Sequence, residues 1–208
     1  MNETSSRDVP AQKVALRKNL LAARSHINPG QRNAHARLLR DHILSIPQVA
    51  GAGTIAVYYS VGSEPHTHSL VFALWKQGHY VLLPVLLPDG DLDWASYEGP
   101  DSLVPGPRGL LEPSEARRGP DAIARAEAVI VPALAVSEAS GLRLGRGGGS
   151  YDRALARVGQ PVPVLALLYD GELLPSVPAA PHDRQVTAVA RPSHGITWFP
   201  SRLSLAVG

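Results

Sequence analysis

TIAVYYSVGSEPHTHSLVFALWKQGHYVLLPVLL, residues 54–87, decides the fold. TIAVYYS (54–60) is β-branched and aromatic, so it predicts a buried strand. HSLVFALWKQG (68–78) reads as an amphipathic helix closed by Gly78, and HYVLLPVLL (79–87) as a second strand. Strand, helix and strand in this span make a βαβ unit, which requires a parallel pair and favours a right-handed crossover. Ligands of open parallel sheets gather beyond the carboxyl ends of the strands. The segment VGSEPHTH places Glu64 beyond the end of the first strand. There it is either a substrate contact or an ordinary exposed loop acid. His66 and His68 have no third ligand nearby in sequence, which argues against zinc.

Towards the N-terminus, AQKVALRKNLLAARSH (11–26) is rich in strong helix formers. Val14, Leu16, Leu20 and Leu21 predict its apolar stripe, while Lys13 and Arg17 share one face and Arg24 lies two turns further along it. NPGQ (28–31) supplies a break and a new helix start, with Asn28 as cap and Pro29 at the first position; that helix should run to about Ser45. Towards the C-terminus, LDWASYE (92–98) reads as a strand at an edge or in a hairpin. The Pro- and Gly-rich stretch 99–120 reads as a long ordered loop. Then follow EAVIVPALAVS (127–137) as one strand, DRALARV (152–158) as a helix, and VPVLALLYD (162–170) and QVTAVA (185–190) as strands. The expected fold class is α/β, a three-layer α/β/α arrangement with a mainly parallel sheet. One domain is expected over 11–208, preceded by a flexible tail of residues 1–10.

Composition narrows the chemistry. The chain has no cysteine, which excludes disulfides, thiolate metal sites and a cysteine nucleophile. A formal charge of +2 is too small to indicate nucleic acid. The polar start MNETSSRDVP lacks the apolar core of a signal peptide, and no run is long enough for a membrane span. A cytoplasmic protein with neither nucleic acid nor membrane as partner is expected, as a monomer or weak homodimer. Neither a nucleophile elbow nor an H-E-x-x-H motif is present.

The most unusual stretch is RLGRGGGSYDRAL (143–155), with Gly145, Gly147, Gly148 and Gly149 set among Arg143, Arg146 and Arg153. Bare backbone N–H groups before a helix can hold phosphate. The alternatives are a flexible turn or an RGG-like nucleic-acid contact, which a single instance hardly supports. The stretch is not a Walker A loop, and Ser150 stands where a dinucleotide fingerprint begun at Gly145 needs its last glycine. Asp152, next to bound phosphate, would call for magnesium, or it caps the helix. His182–Asp183 offers a second carboxylate.

Taken together and in order, these pieces resemble the 5-formyltetrahydrofolate cyclo-ligase family, the methenyltetrahydrofolate synthetases. The resemblance rests on K-x-x-x-R at Lys13–Arg17, the Glu64 loop with Thr67, VLLPV (81–85), GLLEP (109–113), VPALAVSEASGLRLGRGGGSYDRAL (131–155) and PHD (181–183). It implies a NagB/RpiA/CoA-transferase-like fold. It also implies a reaction in which 5-formyltetrahydrofolate and ATP, with Mg2+, give 5,10-methenyltetrahydrofolate, ADP and phosphate. By the same resemblance Lys13 and Arg17 meet the ATP phosphates, and Arg143, Gly145, Arg146, Gly147, Gly148, Gly149, Ser150 and Tyr151 form the nucleotide loop. Tyr59 and Glu64 line the folate pocket, joined by Arg146 and Ser150. Asp152 and Asp183 hold the metal, and Lys13 and Arg146 carry the catalytic charge. Three departures stand out: Ser150 in place of a tyrosine, Ala135-Val136-Ser137 in place of A-F-D, and Arg108 where an aromatic residue is frequent. They motivate an alternative, a catalytically weak paralogue that binds nucleotide or folate. A sugar-phosphate isomerase or CoA-transferase reading is disfavoured by Lys13 and Arg17.

Overall fold

The computed structural model describes residues 8–159 and 161–200; the expected tail falls mostly outside them. In chain order the elements are α1 (Val9–Ser25), α2 (Pro29–Leu44), α3 (Pro47–Ala50), β1 (Thr54–Val57), α4 (His68–Lys76), β2 (Tyr80–Leu86), β3 (Leu92–Ser96), β4 (Leu103–Pro105), β5 (Leu111–Pro113), β6 (Ala128–Pro132), β7 (Ala135–Ser137), β8 (Arg143–Leu144), α5 (Ser150–Leu155), β9 (Val164–Leu167), β10 (Leu173–Leu174), β11 (Ala188–Arg191) and β12 (Gly195–Trp198). The main sheet runs β12-β11-β9-β6-β1-β2-β3. Its five central strands are parallel, and the edge strands β3 and β12 pair antiparallel. The βαβ unit β1-α4-β2 is the one the sequence predicted, with Ile55 opposite Val81.

Alternate residues of each central strand feed two cores. Ile55, Val57, Val81, Leu83, Ile130 and Leu165 face the side covered by α2, α3 and α4. Ala56, Leu82, Val129, Val131 and Ala166 face the side covered by α5 and the 310 segment Pro120–Arg125. Near-continuous apolar strands of this kind are what a sheet buried on both faces requires. The Asn28 cap forms a full capping box with Gln31.

Four expectations need correction. EAVIVPALAVS is not one strand: it breaks after Pro132, and β7 joins a separate sheet of order β10-β7-β8. Uniformly apolar sequence gives no period by which to see such a break. Residues 99–120 are not plain loop, since β4 and β5 form a small antiparallel hairpin. The last strand of the sheet is β12, beyond QVTAVA. The predicted apolar stripe of α1 does not face a core: Val14 is 63% exposed and Leu21 37% exposed, while Lys13 and Arg24 are buried.

Candidate functional site

A cavity of about 260 Å³ opens beyond the carboxyl ends of β1, β2 and β6. Every residue singled out for the site lines it: Lys13, Arg17, Tyr59, Glu64, Arg143, Gly145 through Asp152, and Asp183. Proximity alone does not assign their roles, but it brings together residues up to 170 positions apart.

The glycine loop forms one wall. Gly147 (φ 108°) and Gly149 (φ 69°) are left-handed, which a side chain would strain. A Cβ on Gly145 would stand 2.6 Å from Arg143 Nη1, so that position demands close approach. Gly148 has ordinary φ and room for a side chain, and nothing local requires glycine there. Among the described residues, the backbone N–H groups of Arg146 through Asp152 donate to no other group of the chain. They are a row of donors at the cavity wall. With only six residues, α5 adds little dipole, so any anion held here would be held mainly by these amides. The Ser150 hydroxyl donates to Gly90 O at 2.5 Å, and Arg153 Nη2 donates to the same oxygen. These contacts tie the loop to the β2–β3 turn.

Helix α1 forms a second wall and is held by charge. Lys13 Nζ donates to Asp183 Oδ2 at 2.5 Å, and Arg17 Nε donates to Gly145 O at 2.8 Å. Burial acts to raise the Asp183 carboxyl, but Lys13 and the Ala180 N–H outweigh it and hold it below the usual aspartate range. Arg24, 1% exposed, makes a two-pronged pair with Glu172 (Nε–Oε1 2.7 Å, Nη2–Oε2 2.8 Å) and donates to Ala133 O at 2.6 Å. Burial pushes the Glu172 carboxyl up, against the pull of Arg24. The Tyr169 N–H also donates to Glu172, and the Tyr169 hydroxyl donates to Glu64 O at 3.2 Å. The sequence reading placed Arg24 on the Lys13 face but gave it no role. The regular 13, 17, 24 spacing was the available signal.

The two carboxylates read as metal ligands are both engaged. Asp152 Oδ1 accepts from Arg143 Nη2 (3.0 Å) and from Arg184 N (3.1 Å). Arg143 is 5% exposed and also donates to Pro132 O. Its side chain therefore braces Asp152 and the end of β6 along the cavity wall. Asp152 Oδ2 accepts no hydrogen bond among the described residues, and Asp183 Oδ1 has only His182 at 3.7 Å. No group of three or more ligating side chains exists among the described residues. Two carboxylates with an oxygen each to spare suit magnesium, which takes few protein ligands beside phosphate and water.

Glu64 is set by the loop after β1. Thr67 Oγ1 donates to Tyr58 O, accepts from Ser60 N, and the Thr67 N–H donates to Ser60 Oγ. That bracing turns Glu64 inward, 7% exposed. Its Oε2 accepts from Val61 N at 2.9 Å, and Oε1 lies 3.4 Å from Arg146 Nε. Burial raises its carboxyl above the usual range, partly offset by the Val61 N–H, Arg146 and Arg24. Tyr59 stacks on His68 at 4.1 Å beside it. The remaining wall is apolar: Pro84, Leu86, Leu92, Leu110 and Leu111. The cavity thus has one cationic, amide-lined end and one end suited to a flat, partly polar ring.

The 5-formyltetrahydrofolate cyclo-ligase family model matches residues 9–192. The chain belongs to the 5-formyltetrahydrofolate cyclo-ligase family. The cyclo-ligase of Mycolicibacterium smegmatis is 38% identical over 192 residues, spanning 90% of this chain and 97% of that protein. The cyclo-ligase of Escherichia coli K12 is 32% identical over 181 residues, spanning 84% and 97%. The 5,10-methenyltetrahydrofolate synthetase of Aquifex aeolicus has a similar fold (TM-score 0.78, 23% identity, 91% of this chain and 93% of that one). The matched range includes Lys13, the Glu64 loop, the glycine loop and Asp183. It also includes Arg108, Ala135-Val136-Ser137 and Ser150. No helix among the described residues is long and apolar enough to cross a membrane.

Proposed function

We propose that this chain closes 5-formyltetrahydrofolate to 5,10-methenyltetrahydrofolate at the expense of ATP, releasing ADP and phosphate. One observation carries the reading: a single cavity joins a glycine loop of undonated amides to a buried carboxylate facing an apolar wall. The first suits a triphosphate and the second a pterin. The formyl oxygen attacks the γ-phosphorus and ADP leaves. The substrate's N10 then bonds to the formyl carbon and gives up its proton, and the carbon's bond to the phosphorylated oxygen breaks, so that phosphate leaves with that proton taken up by the phosphate or by water. No protein nucleophile is needed, in keeping with the cysteine-free chain and the lack of a nucleophile elbow.

Phosphoryl transfer asks a protein mainly for positioning and charge. Lys13, Arg17 and Arg146 bring positive charge to the loop, whose amides orient the phosphates. Glu64 accepts ring N–H groups of the pterin, and Tyr59 lies beside the ring. Asp152 and Asp183 would hold magnesium, which when bound neutralises phosphate charge. Arg143 keeps Asp152 oriented, and Lys13 does the same for Asp183. The protein works in the cytoplasm as a monomer or weak homodimer.

The test is direct: purified protein, 5-formyltetrahydrofolate, ATP and magnesium should yield the methenyl product's near-ultraviolet absorbance. Its absence with verified substrate would overturn the activity. Calorimetric binding of folate or nucleotide with a silent assay would favour the weak paralogue.

A further inference from the structure

Six lysine or arginine side chains line the cavity: Lys13, Arg17, Arg24, Arg108, Arg143 and Arg146. Four of them are matched to carboxylates, Asp183, Glu172, Asp152 and Glu64. Arg17 is bonded to the glycine loop. Arg108 alone has no ion pair or hydrogen bond among the described residues. It lines the cavity with its neighbours Leu110 and Leu111 and is exposed to solvent.

Its backbone is as unusual as its side chain. Arg108 is the one non-glycine residue of the described chain with positive φ (56°). Glycine or asparagine is the ordinary solution at such a position, and a long side chain there is held at an energetic cost. The strain is imposed by a rigid hairpin tip. Pro107 fixes the preceding φ, Gly106 N donates to Leu110 O at 2.9 Å, and β4 and β5 pair on either side. Glu112, 7% exposed, accepts from Leu86 N at 2.9 Å and so anchors the hairpin to β2. A strained, solvent-exposed cation is thereby held, unpaired among the described residues, at the wall that Leu110 and Leu111 also line.

We infer that Arg108 binds the glutamate carboxylates of the folate substrate and sets its affinity. The inference rests on the proposed function. A folate with its pterin at Glu64 runs its aryl ring along Leu86, Leu92, Leu110 and Leu111, which leaves its carboxylates at the mouth. A guanidinium matches a carboxylate through two parallel N–H bonds. The departure from an aromatic residue at this position therefore exchanges ring contact for charge recognition.

Steady-state kinetics of Arg108→Gly test this with two substrates, 5-formyltetrahydrofolate and 5-formyltetrahydropteroate, which lacks the glutamate. Glycine suits the positive φ, so the hairpin and the melting temperature should be kept. KM for the folate should rise about 3- to 10-fold, the scale of a partly exposed charge-assisted contact, while kcat and KM for ATP move less than 2-fold. KM for the pteroate should be high in the unaltered protein and nearly unchanged by the substitution. Arg108→Lys should restore part of the folate affinity. A rise in KM for ATP, an equal effect on both pterins, or no effect would overturn the inference and leave the cyclo-ligase activity standing. If the unaltered protein shows no turnover, that activity falls, and calorimetry of the same two pterins with and without Arg108→Gly decides this contact by itself. Binding of neither pterin overturns both.

Discussion

Helices α1 and α4 are amphipathic by sequence, yet they dock in opposite ways. α4 buries Leu70, Val71 and Leu74 against the sheet, as its pattern implies. α1 buries Lys13 and Arg24 and leaves Val14 and Leu21 in solvent. One is part of the core; the other lines the candidate site and is fastened there by charge. The difference teaches that a helix can be held by the residues it contributes to chemistry, so its attachment and its function are altered by the same substitutions.

The largest break in the comparison should come from Arg24→Met. It leaves Glu172 buried and uncompensated, which costs roughly 3–5 kcal/mol in denaturant unfolding. Adding Glu172→Leu should recover much of that loss, because removal of both charges ends the penalty. Leu74→Ala should cost about 3 kcal/mol through an ordinary core cavity. Leu21→Ala on the solvent side of α1 should change stability by less than about 0.5 kcal/mol. If Leu21→Ala cost as much as Leu74→Ala, α1 would be an apolar-docked helix after all.

Lys13→Gln should lower turnover on the order of 10²-fold, the scale of a lost transition-state donor. Its effect on folding should be smaller than that of Arg24→Met. Acid sharpens the contrast further. The Asp183 carboxyl is held below its ordinary range, so its stabilising pair with Lys13 is complete above the unfolded value and is lost only as pH falls through the depressed one. The Glu64 carboxyl is raised above its range by burial, so it protonates first. KM for the folate should therefore climb on acidification while the protein is still folded, and Glu64→Gln should flatten that limb. Loss of activity in step with unfolding would contradict the assignment of Glu64.

Much of this was legible. The β1-α4-β2 unit follows from apolar period and Gly78, and α2 from Asn28, Pro29 and Gln31. The residues that share the cavity stand out in the sequence as glycines beside arginines and Lys13 four before Arg17, and their roles come from the family resemblance. What was missed has physical causes. The break in 127–137 leaves no mark in uniformly apolar residues other than Pro132. β8 and β10 are two residues long and exist only through their partners. The docking face of α1 was read from its leucines because apolar residues usually turn inward. Here the opposing surface carries Asp183 and Glu172, and a sequence cannot display what a helix will meet.

The break after Pro132 has a further consequence. Pro132 O takes Arg143, which braces the glycine loop, and Ala133 O takes Arg24, which fastens α1. Both walls at the glycine-loop side of the cavity are thus gauged from neighbouring carbonyls, one peptide step apart, about 3.8 Å between Cα atoms. The two walls share one anchor on the main chain, fixed in the protein without a ligand. Folding has then already met the ordering cost that binding would otherwise incur.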